Sequence, residues 1–353
     1  MEHSGAIAHA AAVLARTALK LRAGEHLVIV EDSESQNVGA AIADAADAIG
    51  AWVKRVRLDR LGARPHRLAP EPLIDVLRAA NASVFTARAL HQEAAMRQAV
   101  LHVVRERGLR HAHMPGISDL GFAAAVRLDY DALRRVGETM LAMLAPARTI
   151  VAESDAGTSL YITLGAESHW FAQLGALEPG DWGNFPAGAL YASPADVSGV
   201  FVADASLGEF FGMREGLLAR KAARLLIERG RVVAVEAPNA PELRRDLESM
   251  LGFAANSDRV GLVAIGVNYG IERPTGDASV DQNLPGLHLG IGDPAGRASG
   301  ATWRAQTCFA ACASSSRVIV DGVEVIRAAS LVGPTAPQAA PLRRRDSGVR
   351  PAS

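Results

Sequence analysis

Cysteine is nearly absent. Cys308 and Cys312 are the only two in 353 residues, which excludes a disulfide framework and makes a reducing cytoplasm the expected home. Charge of one sign is also missing. Lys and Arg number 37 against 38 Asp and Glu, a net charge of -1, so no field exists to draw in nucleic acid or an anionic membrane. No run approaches the roughly 18 apolar residues of a spanning helix, and Met-Glu-His-Ser-Gly lacks the basic start of a signal peptide. There is no internal repeat, no Gly-x-Ser-x-Gly elbow and no phosphate-binding Gly-x-x-x-x-Gly-Lys. Gly290-x-Gly292 followed by Gly296 has the wrong spacing for a dinucleotide loop, and Pro294 interrupts it.

What is present is a chain of two textures. Length alone favours two domains, and 49% hydrophobic residues fit globular packing. Ile7, Ala11, Leu14, Ala18 and Leu21 repeat at helical spacing, and Gly24 stops that helix. Strands are expected over 26–31, 51–58, 82–86 and 109–114, separated by helices over 37–49, 70–80 and 92–107, with a last amphipathic helix over 129–144. That alternation predicts an α/β domain, residues 1–147, with a parallel sheet covered on both faces. After Pro146 short β-rich runs alternate with Gly and Pro, and only residues 241–251 read clearly as helix. Asp321-Gly322 between two Val-rich runs is a hairpin signal, and Arg229-Gly230 a weaker one. A mainly β (α+β) domain is therefore expected over 148–332. Residues 333–353, rich in Pro, Ala and Arg, are expected as a flexible tail.

Four blocks in the second half carry a resemblance. They are Ala156-Gly157-Thr158-Ser159-Leu160, the run from Gly183 to Tyr191, Ile265-Gly266-Val267-Asn268, and the run from Gly286 to Gly292. In this order they resemble the thermophilic aminopeptidase T family of metal-dependent leucyl aminopeptidases. The first half agrees in element order and in Ala23-Gly24-Glu25, so the resemblance covers about residues 5–330. It implies an aminopeptidase T-like fold and a homodimer. The same family frame includes a ring-cleaving iron dioxygenase of dihydroxypyridines, so the fold does not fix the reaction.

The resemblance also implies where a metal would sit. Family members use two Glu, a His and a later His-x-Asp pair, hard donors that leave a position open for water. Those positions fall on Ala189, Leu262, His288, Cys308 and Ala310. No His follows His288, and no acid lies between Trp182 and Ala195 or between Val260 and Ile271. A downstream His-x-Asp is thus impossible at any register, and His288 is expected to be a satisfied core or cleft histidine. Cys308 and Cys312 with His288 form the alternative, a rebuilt site for zinc or iron. Otherwise no cofactor is expected. His111-x-His113 would share one face of a strand and is expected as a pair of edge histidines. Ser314-Ser315-Ser316 reads as a polar turn. Glu272, Asp277, Asp281 and Asp293 are either solvated loop carboxylates or an acidic rim.

Two functions follow. One is a catalytically degenerate aminopeptidase-like protein that binds a peptide and presents it to a separate modifying enzyme. Its cleft would comprise Asn184, Phe185, Pro186, Ala189, Leu262, Asn268, His288, Cys308 and Ala310, with apolar contacts from Trp170, Phe171, Trp182 and Trp303. The other is a divergent metalloenzyme, aminopeptidase or ring-cleaving dioxygenase-like, with unconventional ligands.

Overall fold

The computed structural model describes residues 2–88, 90–124 and 128–337. The first half runs α1 (Glu2–Val13), β1 (His26–Glu31), α2 (Gln36–Asp47), β2 (Trp52–Arg57), α3 (Glu71–Arg78), β3 (Ala82–Phe85), α4 (Ala94–Arg107), β4 (Arg110–His113), α5 (Asp119–Ala124) and α6 (Tyr130–Leu144). α1 continues into a π-helical turn over Leu14–Ala18, so the apolar period expected to reach Leu21 loosens before its end. β3 and β4 are buried along their whole lengths and β1 along all but His26, which is why β1 and β3 read as continuous runs rather than as alternation. Gly108, in the left-handed region at φ 69°, turns the chain out of α4. The Asp129 carboxylate accepts from the Asp131 N–H and starts α6.

The second half supplies β5 (Thr149–Glu153), β6 (Ser159–Thr163), β7 (Phe171–Gln173), β8 (Trp182–Asn184), β9 (Ala189–Ala192), β10 (Asp196–Ala203), β11 (Ser206–Leu207), α7 (Glu209–Glu215), β12 (Ala223–Glu228), β13 (Arg231–Glu236), α8 (Pro241–Leu251) and β14 (Val260–Gly266). It ends with α9 (Ala278–Asp281), β15 (Gly286–Gly292), α10 (Gly296–Ser299), β16 (Cys308–Cys312), β17 (Arg317–Val320), β18 (Val323–Arg327) and β19 (Ser330–Leu331). The short helices α7, α9 and α10 were not among the expected elements. Both hairpin signals hold: Asp321 and Gly322 have φ 45° and 84°, and Arg229 and Gly230 have 49° and 72°.

Three sheets result. Two are antiparallel, in the orders β13-β12-β10-β6-β5-β17-β18-β19 and β11-β16-β15-β14-β9-β7. The first is parallel, in the order β2-β1-β3-β4-β8. The expected α/β domain followed by a mainly β domain is therefore present, with one departure from an arrangement split at residue 147. β8 returns to the parallel sheet, pairing His111 with Trp182 and His113 with Asn184. The chain then passes through Phe185-Pro186, a cis peptide bond, into β9 of the six-stranded sheet. One apolar core runs through both halves, from Leu14 and Ile29 to Ile150, Leu190 and Ile265.

At the end of β1 a buried ion network replaces apolar packing. Arg64 holds Asp32 at 2.6 Å and Glu93 at 2.5 Å, with both carboxylates fully shielded. Burial alone would raise both acids, but hydrogen bonds from the Arg88 N–H and from Arg64 hold Asp32 below the usual carboxylate range, and Arg64 with the His66 N–H does the same for Glu93. At the other end of the chain, residues 333–337, expected in the flexible tail, include a 3-10 turn whose Thr335 hydroxyl donates to the Val325 carbonyl at 3.0 Å. The rest of the expected tail lies outside the described residues.

Candidate functional site: a cavity between two sheets

β9, β14, β15 and β16 lie side by side in the six-stranded sheet, and their register decides which residues share a face. Gly266 pairs with Ala189, Ala264 with Tyr191 and His288, and Leu262 with Gly290, which in turn pairs with Ala310. Side chains alternate along each strand. Ala189, Tyr191, Leu262, Ala264, His288, Cys308, Ala310 and Cys312 therefore fall on one face. All five positions where the resemblance would place metal ligands are brought together there. Ala189, Tyr191, Leu262 and Ala264 form a small apolar cluster of their own, with Phe171 and Ala295 packed against it.

This face forms one wall of a cavity of about 1960 Å³. The facing wall is built from α4 and β8, with Arg97, His113, Trp182 and Asn184 in the lining. Phe171, Phe185, Tyr191, Leu262, His288, Cys308 and Ala310 line it as well. Among the expected apolar contacts, Trp170 packs on the main core and Trp303 lies under the Arg259 guanidinium, 4.1 Å from its ring centre. Asn268 is fully buried outside the lining, where its amide donates to the Ala187 carbonyl at 2.8 Å and accepts from the Gly270 N–H at 3.1 Å. Pro186 follows β8 on the chain toward β9, and its carbonyl accepts from Asn283 at 3.1 Å.

The test of metal fit is His288. Its Nε2 lies 2.8 Å from the Leu284 carbonyl and its Nδ1 accepts from the Ala313 N–H at 3.3 Å. A carbonyl can only accept and an N–H can only donate, so the ring is neutral with its hydrogen on Nε2. Burial pushes its pKa down to about 4. Its one ring lone pair, on Nδ1, is thus engaged and not free for a metal. Ala189, Leu262 and Ala310 offer no donor atom. Cys308 is exposed toward the cavity, but a single thiol with no other free donor gathered beside it does not hold a metal. Cys312 is buried, and its thiol is pushed up by burial and by Asp281. Among the described residues no three His, Cys, Asp or Glu side chains gather as a metal-holding group. The residues on this face do not fit the metal that the resemblance implies.

The loop acids are mostly engaged in their own turns. Asp281 accepts from the Thr275 and Gly276 N–H groups at 2.7 and 3.0 Å. Asp277 caps α9 through Ser279, and burial raises its carboxyl to about 6. Glu272 is exposed. Asp293 alone of the four lines the cavity. The Ser314 turn is fixed by Asp204, which accepts from the Ser314 N–H at 2.7 Å.

The histidine pair departs from expectation. His111 and His113 are not at a sheet edge, because β8 covers β4. Both are buried, with ring nitrogens 3.3 Å apart, and the Trp182 ring meets His113 edge-on at 5.7 Å. Sequence reasoning also missed the Arg97–Glu209 ion pair at 2.8 Å, which joins α4 to α7 across the cavity lining. Only a pairing between distant segments reveals it.

No family model matches this chain, and no curated protein matches it in sequence. Solved structures do. AmpT from Thermus thermophilus superposes with a TM-score of 0.67 at 17% identity, over 93% of this chain and 99% of that one. The 2,5-dihydroxypyridine dioxygenase from Pseudomonas putida KT2440 gives 0.66 at 16% identity, over 94% and 97%. The fold is aminopeptidase T-like. At such identity the likeness speaks for architecture alone. Among the described residues no helix is long and apolar enough to cross a membrane.

Proposed function

We propose that this protein is a catalytically degenerate, aminopeptidase-like protein that binds a peptide in the cavity and holds it for a separate modifying enzyme. It works as a cytoplasmic homodimer without a metal. One observation carries the reading: His288, the sole ligand type retained on the aminopeptidase-like face, spends both ring nitrogens on the protein's own backbone. The size of the cavity supports a ligand of several residues rather than a small molecule. Its mixed lining, from Phe171 and Trp182 to Asn184, Arg97 and Asp293, suits a chain that alternates apolar side chains with amide groups.

Two measurements test this together. Elemental analysis of protein purified without a metal column should find close to no zinc, manganese or iron per chain, before and after loading. Trp182 fluorescence and thermal melting should respond to a subset of peptides in a defined pool. A ligand at 100-fold over its Kd adds about 2.7 kcal/mol. One metal per chain that survives dialysis and is lost in His288→Ala would overturn the reading in favour of a metalloenzyme.

A further inference from the structure

The cavity has a second polar wall that the aminopeptidase-like face does not explain. Ser83, His111 and His113 form a line across β3 and β4 that ends at the cavity. The Ser83 Oγ lies 2.8 Å from His111 Nδ1, and His111 Nε2 lies 3.3 Å from His113 Nδ1. His113 Nε2 has no hydrogen-bond partner among the described residues, and His113 lines the cavity.

The direction of this line can be worked out. Ser83 is fully buried, and His111 Nδ1 is the one partner of its hydroxyl among the described residues. If His111 Nδ1 carried the hydrogen, the Ser83 hydroxyl hydrogen would be buried with no acceptor. That arrangement is disfavoured by roughly tenfold or more. The hydroxyl therefore donates to His111 Nδ1. His111, neutral, must then carry its hydrogen on Nε2 and donate it to His113 Nδ1. His113, neutral in turn, must carry its hydrogen on Nε2. Burial keeps both rings neutral, with His111 pushed down to about 3 and His113 well below its ordinary value by burial and by the nearby Arg97 charge.

The geometry points to His113 Nε2–H as a fixed, uncharged hydrogen-bond donor in the cavity wall, set by Ser83 through His111, that takes an uncharged carbonyl oxygen of the ligand. Two further groups show that this cavity is built to be filled. Tyr191, with the Asn184 side chain beside its hydroxyl, and Thr307 also line it, and among the described residues neither hydroxyl makes a hydrogen bond of good geometry. His113, Tyr191 and Thr307 expose only 9%, 6% and 6% of their surface. Buried polar groups left open in a native wall are met by water or by a ligand. A neutral donor in a desolvated wall suits an amide carbonyl better than a carboxylate, whose charge would have to leave water. The inference rests on the peptide-binding reading only for the source of that carbonyl, a peptide backbone.

The test uses the full chain labelled with 15N-histidine. His113→Gln and His113→Phe assign its resonances, and circular dichroism checks their folding. At neutral pH, His113 Nε2 should be of the protonated, pyrrole type and Nδ1 of the pyridine type. In Ser83→Ala this preference should collapse to an average of the two tautomers. The probe is N,N-dimethylacetamide, a carbonyl acceptor with no N–H. It should shift the His113 Nε2 resonance saturably and leave His113→Phe without a site, whereas pyrrole, a donor without a carbonyl, should not shift it. The reverse tautomer in the native protein would overturn the assignment, as would an unmoved Nε2 or a shift with pyrrole instead. Because the probe is not a peptide, a saturable shift stands even if every peptide in the pool fails to bind. Peptide binding that is equal in wild type and His113→Phe would sink this inference while sparing the broader reading.

Discussion

Replacing His288 separates a structural histidine from a metal ligand by energy. The ring is 1% exposed, and its two hydrogen bonds satisfy the Leu284 carbonyl and the Ala313 N–H. His288→Ala leaves both backbone groups without their partner at about 1–3 kcal/mol each, so the loss at neutral pH should be about 2–6 kcal/mol. His288→Gln keeps an N–H and a C=O near the same places and should lose less. The pH dependence adds an independent check. The native ring stays neutral down to about 4, whereas an unfolded histidine titrates near 6.5. A histidine with a depressed native pKa binds fewer protons folded than unfolded. Its contribution is thus fully present above 6.5 and is lost as pH falls from 6.5 toward 4. At about 1.4 kcal/mol per pH decade, that window is worth about 3 kcal/mol. Urea titrations at pH 7.5, 6, 5 and 4.5 should show the wild-type advantage over His288→Gln shrinking by about this amount. A His288→Ala variant within 0.5 kcal/mol of wild type, or one whose stability gap closes when metal is chelated, would refute the reasoning.

Other perturbations probe the frame and the wall. Arg64→Met removes the cation shared by Asp32 and Glu93, leaving Asp32 only the longer Arg88 ion pair at 3.5 Å, and should cost about 3–5 kcal/mol at pH 7 by chemical denaturation. Wild type holds both carboxyls below the ordinary range, so its stability falls as pH drops through that range; the variant should lose less on acidification. Gly188→Ala places a Cβ 2.6 Å from the Asn268 Cβ at φ 130°, and should lower the melting temperature by several degrees and loosen the link between the two sheets. Tyr191→Phe removes a buried hydroxyl that makes no hydrogen bond of good geometry among the described residues, so stability should stay within about 1 kcal/mol of wild type or rise, while affinity for any peptide found in the pool falls.

Much of the fold could be read directly. β1 and β3 are buried almost throughout and announce themselves as apolar runs, whereas β4, Arg-His-Ala-His, is equally buried yet polar in sequence. The positions facing the cavity were legible too, because the blocks around Ala189, Leu262 and His288 each fix a strand and its side-chain parity. What escaped was long-range. β8 is three residues long, and nothing local in Trp-Gly-Asn says that it will join a sheet formed some 70 residues earlier. Without β8, His111 and His113 look like edge residues. With it, they become a buried pair, of which His113 reaches the cavity lining. Asn268 was expected in the cleft because its block resembles a cleft block, yet its amide is spent holding the Ala187 carbonyl.

β8 also bears on how such a protein can be altered. A short segment that finishes one sheet and then starts a strand of another is a shared beam, and the cavity is the room beneath it. A cut at residue 147 would leave β4 with an open edge, a template for unwanted pairing with a second chain. The same cut would strip the cavity of Trp182 and Asn184. The halves are therefore poor units for swapping between relatives. Changes to the site are better made by substituting faces within each sheet than by exchanging whole segments.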